Sequence, residues 1–315
     1  MDKKRGAVQM RDMHSAHSHA PGHSHAHDHT HGANDRRYTI AIGINLTFVA
    51  IEIIGGFSAN STALFSDAVH NLSDVLGLAL AGGATWLARQ NAGAQHTYGY
   101  SKATVLAALA NALLLVGASG GILWEAFKRL MVPQSVDAIL VVGVATAGVI
   151  INGATALLFV HGRKDDVNVR AAFLHMAQDA AISGAVIVAA LLIYFTTWWW
   201  LDPVLSIVVV GLIAWSTWGL LKESLSLALD AAPAHIDVAA VREFLAAQPG
   251  VTAVHDLHVW AMAATEPALT AHIVRPDGGD DAFLAGLAHE IEERFGIKHV
   301  TLQVEREHQD CHAHP

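Results

Sequence analysis

The sequence HNLSD occupies residues 70–74, and a near copy, HMAQD, occupies residues 175–179. Each segment lies within an apolar stretch long enough to cross a lipid bilayer as a helix. Residues four apart share one face of a helix, so each segment presents an imidazole beside a carboxylate. A charged group at membrane depth costs about 2.5 to 3.5 kcal/mol, so such groups usually face a partner or a water-filled path.

If the two helices face each other, two imidazole nitrogens and two carboxylate oxygens converge. Four such ligands suit a tetrahedral Zn²⁺ ion, and two carboxylates balance its charge. The sequence therefore predicts a buried transition-metal site formed by His70, Asp74, His175 and Asp179. A single polar pair is also explained by an interhelical hydrogen bond, but its repetition on two spans favours the metal site.

The composition indicates a polytopic membrane protein with some soluble mass. Of the 315 residues, 53% are hydrophobic and only 15% are charged, and the mean hydropathy is +0.37. The formal net charge of −9 indicates no nucleic-acid partner. The one cysteine, Cys311, excludes an intrachain disulfide framework.

Six apolar stretches predict six transmembrane helices, at about residues 38–57, 62–88, 103–127, 136–160, 171–195 and 203–221. Glu52 and Asp67 are further polar residues in the first two stretches and are candidates for moving protons. Asp67 is close enough to the start of its stretch to be a helix-start carboxylate instead. Basic residues cluster before the first stretch and after the second, fourth and sixth, so both termini are expected in the cytoplasm, in a bacterial cell at the inner membrane.

The soluble parts lie at the two ends of the chain. Residues 1–37 are polar and His-rich, with His23, His25, His27 and His29 alternating with other residues, and this tail is expected to be disordered and to capture metal ions. Residues 223–307 predict a cytoplasmic α+β domain in the order α-β-β-α-β, ferredoxin-like or metallochaperone-like, with elements at about 237–247, 251–260, 269–274, 280–295 and 299–305. Residues 38–222 are the expected membrane domain, and residues 308–315 form a short Cys/His tail.

Several segments resemble one family of membrane proteins. They are STALFSDAVHNLSD at 61–74, TYGY at 97–100, NVRAAFLH at 168–175, WLDP at 200–203 and VHDLHVW at 254–260. The chain resembles the cation diffusion facilitators, in the zinc-type branch with the bacterial cobalt-zinc-cadmium resistance facilitators and the vertebrate zinc transporters. The resemblance implies a homodimer that exports Zn²⁺, and also Co²⁺, Cd²⁺ or Ni²⁺, in exchange for protons by alternating access, with a role in metal homeostasis and resistance.

The resemblance also implies metal-binding residues. The transport site would be the four residues named above, and zinc would also regulate the cytoplasmic domain through His272, His299 and Glu305. Near the C-terminus, Cys311, His312 and His314 would pair with the N-terminal tail, and His96 would bind a peripheral ion. By strand alternation, His255 and His258 point to opposite faces and are expected to be structural.

The chain departs from the family pattern at two positions. Thr104 replaces a carboxylate after the TYGY segment, which removes a partner for an ion pair between spans. Gln178 replaces a small residue beside Asp179, where its amide is expected to add a hydrogen bond or a ligand.

The sequence also bears on three alternatives to a transporter. Gly117-Ala118-Ser119-Gly120 matches the GxSG of an intramembrane serine hydrolase, but the sixth span has no histidine to act as the base, and small residues serve helix packing. A zinc hydrolase lacks the HExxH motif. A membrane metal sensor, which binds ions without flux, stays open. The sequence favours a transporter over an enzyme.

Overall fold

A computed structural model describes residues 35–160 and 167–308. The His-rich segment with His23, His25, His27 and His29 lies outside the described residues, as does the C-terminal segment with Cys311, His312 and His314. Helices occupy all six predicted stretches. They are α1 (Asp35–Ser58), α2 (Thr62–Ala88), α3 (Ala103–Met131), α4 (Ala138–Phe159), α5 (Val167–Thr196) and α6 (Leu201–Ala228).

Four of these helices are long and apolar enough to cross a membrane, by length and composition. In the described residues they are α3, most of α4, α5 from Phe173 onward, and α6. The apolar part of α1 within the described residues, Leu46–Ser58, is shorter. Helix α2 has the length but carries ionisable and other polar residues along one face, which lowers its mean hydropathy.

Helix α2 lies at the centre of the membrane domain and packs against α1, α3, α5 and α6. Its buried polar side chains include Ser66, Asp67, His70 and Ser73. Because its neighbours cover this polar face, the groups that would be costly in lipid are enclosed by protein.

Asp202, in the first turn of α6, joins the start of α6 to the start of α2. Its carboxylate accepts hydrogen bonds from the Ser61 hydroxyl (2.5 Å), the Thr62 hydroxyl (2.6 Å) and the Thr62 backbone N–H (2.7 Å). The Ala63 backbone N–H adds a longer bond of 3.3 Å. A negative charge at a helix N-terminus also interacts favourably with the helix dipole. Asp202 of α6 therefore holds the N-terminal end of α2 in place.

The C-terminal domain follows the predicted order α-β-β-α-β. Its elements are α7 (Val238–Ala246), β1 (Ala253–Ala263), β2 (Glu266–Val274), α8 (Asp281–Phe295) and β3 (His299–Glu305). Strand β2 is central, antiparallel to β1 and parallel to β3. The core of the domain lies between the sheet and the helices and includes Leu245, Leu269, Ile273 and Ile291. The first two strands extend beyond the predicted bounds because a tight turn joins them directly.

The two domains meet through α3, α6 and β1. Val105, Leu227 and Ala261 form a small buried cluster at this junction. Lys102, just before α3, forms an ion pair with Asp230, just after α6. Thr104, where a carboxylate was expected, instead accepts a hydrogen bond of 3.4 Å from the backbone N–H of Ala264.

We expect Asp202→Ala to destabilise the membrane domain by about 2 to 3 kcal/mol, because the substitution leaves buried donors at the start of α2 without an acceptor. The measurement is the thermal unfolding of the purified protein in detergent. Asp137→Ala is the matched control, because Asp137 caps α4 at an exposed site with one bond of 3.1 Å, to Leu140 N, and should cost about 1 kcal/mol. Equal losses in the two variants would contradict this account of Asp202.

Candidate metal centres

Helices α2 and α5 bring the two repeated segments face to face. His70 Nε2 lies 3.6 Å from Asp179 Oδ1 and 4.0 Å from Asp74 Oδ2. His175 Nε2 lies 3.2 Å from Asp74 Oδ2 and 3.8 Å from Asp179 Oδ2. The two imidazole rings are 6.0 Å apart between centroids. We call these four residues the membrane cluster.

The spacing of the membrane cluster fits a tetrahedral ion. Bonds of about 2.0 to 2.2 Å from zinc to nitrogen or oxygen place neighbouring ligand atoms about 3.3 to 3.6 Å apart. His70, Asp74 and His175 each offer one ligand atom within 4.8 Å of the others, and Asp179 approaches His70 with Oδ1 and His175 with Oδ2. Both ring nitrogens of His70 and Oδ1 of Asp179 are buried without a hydrogen-bond partner. Buried polar atoms are normally satisfied, so a bound ion would supply a partner that His70 and Asp179 lack within the protein.

The membrane cluster is more exposed on one side. The side chains of Asp74 and His175 are 34% and 41% exposed, whereas those of His70 and Asp179 are 8% and 2% exposed. The loop after α2 contacts the C-terminal domain, since the rings of Tyr98 and His299 are 5.4 Å apart. Asp74 lies nearer to that end of α2 than His70 does. The more exposed carboxylate of α2 is therefore the one nearer to the C-terminal domain.

Two more carboxylates are buried near the membrane cluster. Glu52 of α1 and Asp67 of α2 are both 0% exposed and lie within hydrogen-bonding reach of each other. Asn71 donates a 2.8 Å bond to Glu52, and Ser183 donates a 2.8 Å bond to Asp67. The interpretation of Asp67 as a helix-start carboxylate is wrong, because Asp67 lies in the second turn of α2 and bonds to α5.

A second group of possible ligands lies on the sheet, and we call it the sheet cluster. His255 Nε2 is 3.0 Å from Glu305 Oε2, and His272 Nδ1 is 3.1 Å from Glu305 Oε1. One ligand atom from each residue lies within 4.8 Å of the others. Glu305 is nearly buried, and Gln303 donates a 3.0 Å bond to its Oε1. Two imidazoles and a carboxylate form a ligand set that zinc accepts.

The expectation that His255 and His258 point to opposite faces of the sheet is wrong. His255 pairs with His272 and His258 pairs with Thr270, so three residues of β1 oppose two of β2. This β-bulge, at Asp256 with a φ of 50°, puts His255 and His258 on one face despite their odd separation. Asp256 contacts His258 at 3.0 Å and His272 at 3.6 Å. The one signal in the sequence was an aspartate, which adopts positive φ more readily than most residues.

Two histidines predicted as ligands lie elsewhere. His299 begins β3 and Glu305 ends it, so about 20 Å of strand separates them; the structure does not bring His299 into the sheet cluster. His299 is exposed and contacts Tyr98 instead. His96 is also exposed, stacked on Tyr100 at 4.6 Å between centroids, and among the described residues it joins no group of possible ligands. Gln178 is exposed, unlike its buried neighbour Asp179.

Comparison with known proteins identifies the family of this chain. Residues 38–227 match the cation efflux transmembrane domain, and residues 233–307 match the cytoplasmic domain of cation efflux proteins. These two matches cover most of the chain, which belongs to the cation efflux family. As such it is a membrane transporter of cations rather than an enzyme, and the hydrolase alternative based on Ser119 is wrong.

Several relatives of known function are similar in sequence to this chain over nearly their whole length. The zinc transporter ZitB of Escherichia coli is 38% identical over 89% of this chain and 90% of its own. The cation efflux system protein CzcD of Alcaligenes sp. is 37% identical, covering 87% of each chain. The cadmium, cobalt and zinc/H(+)-K(+) antiporter of Bacillus subtilis is 35% identical over 88% of this chain and 90% of its own. A solved metal-bound C-terminal domain of the CzcD transporter from Cuprividus metallidurans is 37% identical over 22% of this chain and 99% of its own, with a TM-score of 0.19.

Proposed function

We propose that this cation efflux protein exports Zn²⁺ from the cytoplasm in exchange for protons, and that the membrane cluster binds the ion. The convergence of two imidazoles and two carboxylates from α2 and α5 carries this proposal. Relatives named as zinc transporters, and one named as a cadmium, cobalt and zinc antiporter with protons and potassium, support it.

The ligand chemistry favours zinc among divalent ions. Imidazole nitrogen binds Zn²⁺, Co²⁺ and Ni²⁺ better than the harder Mg²⁺ or Mn²⁺. Two carboxylates balance the charge of a divalent ion in a site largely shielded from water. Zn²⁺ is therefore the main substrate in this proposal, and Co²⁺, Cd²⁺ and Ni²⁺ are secondary ones.

Alternating access explains how the ion crosses. In the conformation described here, the exposed side of the membrane cluster faces the C-terminal domain, which is where an ion from the cytoplasm enters. Rearrangement of the helices then opens the opposite side. Because imidazole must be neutral and carboxylate ionised to bind metal, protons on that side compete with the ion and release it.

The orientation follows from charge. Lysines and arginines lie before the first apolar stretch and after the second, fourth and sixth stretches. The positive-inside rule then puts both termini and the C-terminal domain in the cytoplasm. Since the named relatives are bacterial, the protein resides in the inner membrane in this proposal.

In this proposal, zinc also binds to the sheet cluster and stabilises a homodimer formed through the C-terminal domains. The sheet cluster lies on the sheet face opposite the core formed with α7 and α8, so it is accessible to a second subunit. The His-rich N-terminal tail, with Cys311, His312 and His314 near the C-terminus, supplies further ligands that capture cytoplasmic zinc.

Zinc flux in proteoliposomes tests the transport site. With an imposed proton gradient, we expect Asp74→Asn and Asp179→Asn each to reduce zinc flux by at least about 100-fold, because each removes an ionised ligand. The measurement uses a zinc-sensitive dye inside the vesicles. Glu125→Gln is the matched control, a carboxylate of the membrane domain that pairs with Lys128 and Arg129 on α3, and it should retain full flux.

The same assay separates the transporter from the sensor. Flux that follows the proton gradient and disappears in both ligand variants supports the exchanger and its site together. Zinc binding by the wild-type protein without flux in any gradient would instead make it a sensor. Full flux in either ligand variant would contradict the assignment of the membrane cluster.

For the regulatory site, we expect His272→Ala to weaken zinc binding to the full-length protein by at least about tenfold at one site, and His299→Ala to have no such effect. His272 contacts Glu305, whereas His299 lies at the other end of β3. Isothermal titration calorimetry in an Asp179→Asn background, which lacks the transport site, isolates this binding. Equal weakening in both variants would restore the original assignment of His299.

A further inference from the structure

Glu52 and Asp67 are enclosed in the membrane domain but belong to neither group of possible metal ligands. Each is 0% exposed. Glu52 Oε2 accepts a bond from Asn71, and Asp67 Oδ2 accepts one from Ser183. The remaining oxygens, Glu52 Oε1 and Asp67 Oδ1, are buried with no donor, while the two carboxylates lie within hydrogen-bonding reach of each other.

Two carboxylates in contact at this depth are more stable with one proton between them than with two negative charges. Two adjacent negative charges without water repel strongly, so one proton between them satisfies both unpartnered oxygens. No lysine or arginine in the described part of the chain forms an ion pair with either carboxylate. Asp179 of α5 and His70 of α2 interact electrostatically with the pair, and both are members of the membrane cluster.

The pair lies on the closed side of the membrane cluster. Asp67 precedes His70 by three residues, which puts it about 4.5 Å further along α2 from the C-terminal domain. Ser183 follows Asp179 by one turn of α5, in the same direction. Asn71, the donor to Glu52, is adjacent to His70 in the chain. The pair therefore stands between the membrane cluster and the membrane face opposite the C-terminal domain.

We propose that Glu52 and Asp67 form a proton site, separate from the metal ligands, that carries the proton exchanged for the metal ion. This inference rests on the proposed function. When a divalent ion binds to the membrane cluster, its positive charge favours loss of the shared proton, which passes to water. When the ion leaves on the far side, one proton from that side returns to the pair and restores the shared hydrogen bond.

Because of their positive charges, a metal ion at the membrane cluster and a proton on the Glu52–Asp67 pair each disfavour binding of the other. With a divalent ion bound, Asp74 and Asp179 are neutralised and the ion's field also stabilises a second negative charge on the pair. Without the ion, the same region holds four carboxylates, and protonation of the pair lowers their repulsion. Loss of proton exchange at the pair should thus uncouple transport from the proton gradient while leaving the metal ligands in place.

Glu52→Gln tests this, because glutamine keeps the shape and the acceptor for Asn71 but binds no exchangeable proton. Two assays in the same proteoliposomes separate the roles. Exchange of labelled zinc for unlabelled zinc requires the metal ligands but no net proton movement, whereas accumulation of zinc against its gradient requires proton coupling. We expect Glu52→Gln to keep zinc exchange within about threefold of wild type and to lose accumulation driven by a proton gradient.

Three variants complete the test. Asp67→Asn should reproduce the result, Glu52→Asp should recover at least part of the driven accumulation, and Glu125→Gln should leave both assays unchanged. Driven accumulation at the wild-type level in Glu52→Gln overturns the proposal. Loss of both zinc exchange and driven accumulation in Glu52→Gln and Asp67→Asn also overturns the proposal. The pair would then be needed only to maintain the structure of the metal site. Absence of zinc exchange in the wild-type protein would instead refute the proposed function itself.

Discussion

The cost of placing ionisable groups inside a bilayer governs the architecture of the membrane domain. Helix α2 carries Asp67, His70 and Asp74 at membrane depth, and each would be expensive in contact with lipid. The helix is therefore enclosed by α1, α3, α5 and α6, and its polar face meets polar groups of these neighbours. Asp202 holds the start of α2 from the start of α6, so the helix that carries the ligands is fixed at its end by a charged contact.

The neighbouring helices cover the membrane cluster more completely on one side than on the other, so its two sides differ. His70 and Asp179 are almost fully buried, while Asp74 and His175 are partly exposed on the side of the C-terminal domain. The Glu52–Asp67 pair closes the other side. Residues of the membrane cluster and the buried Asp67 thus follow one another along α2, an order that suits the proposed exchange of an ion from one side for protons from the other.

The C-terminal domain contacts the membrane domain through a small junction rather than a large interface. Lys102 and Asp230 form an ion pair there, and Val105, Leu227 and Ala261 bury a few apolar groups. Tyr98 and His299 add a ring contact. The sheet cluster lies away from the helices α7 and α8 that cover the other face of the sheet, so an ion bound there would not disturb the core of the domain.

The sequence alone determined the helices, the order of the C-terminal elements and the four residues of the membrane cluster. Those inferences rested on local periodicity and on a repeated i, i+4 pair, both of which persist in the fold. Only the tertiary structure decided the sheet cluster, because the bulge at Asp256 changes which face the flanking residues of β1 point to, and strict alternation misplaced His255 relative to His258. It also separated His299 from Glu305 and joined Glu52 to Asp67. Such contacts depend on how separate elements pack against each other. One extra residue in a strand, or a shift of one helical turn, changes which side chains meet, and the local sequence does not reveal this change.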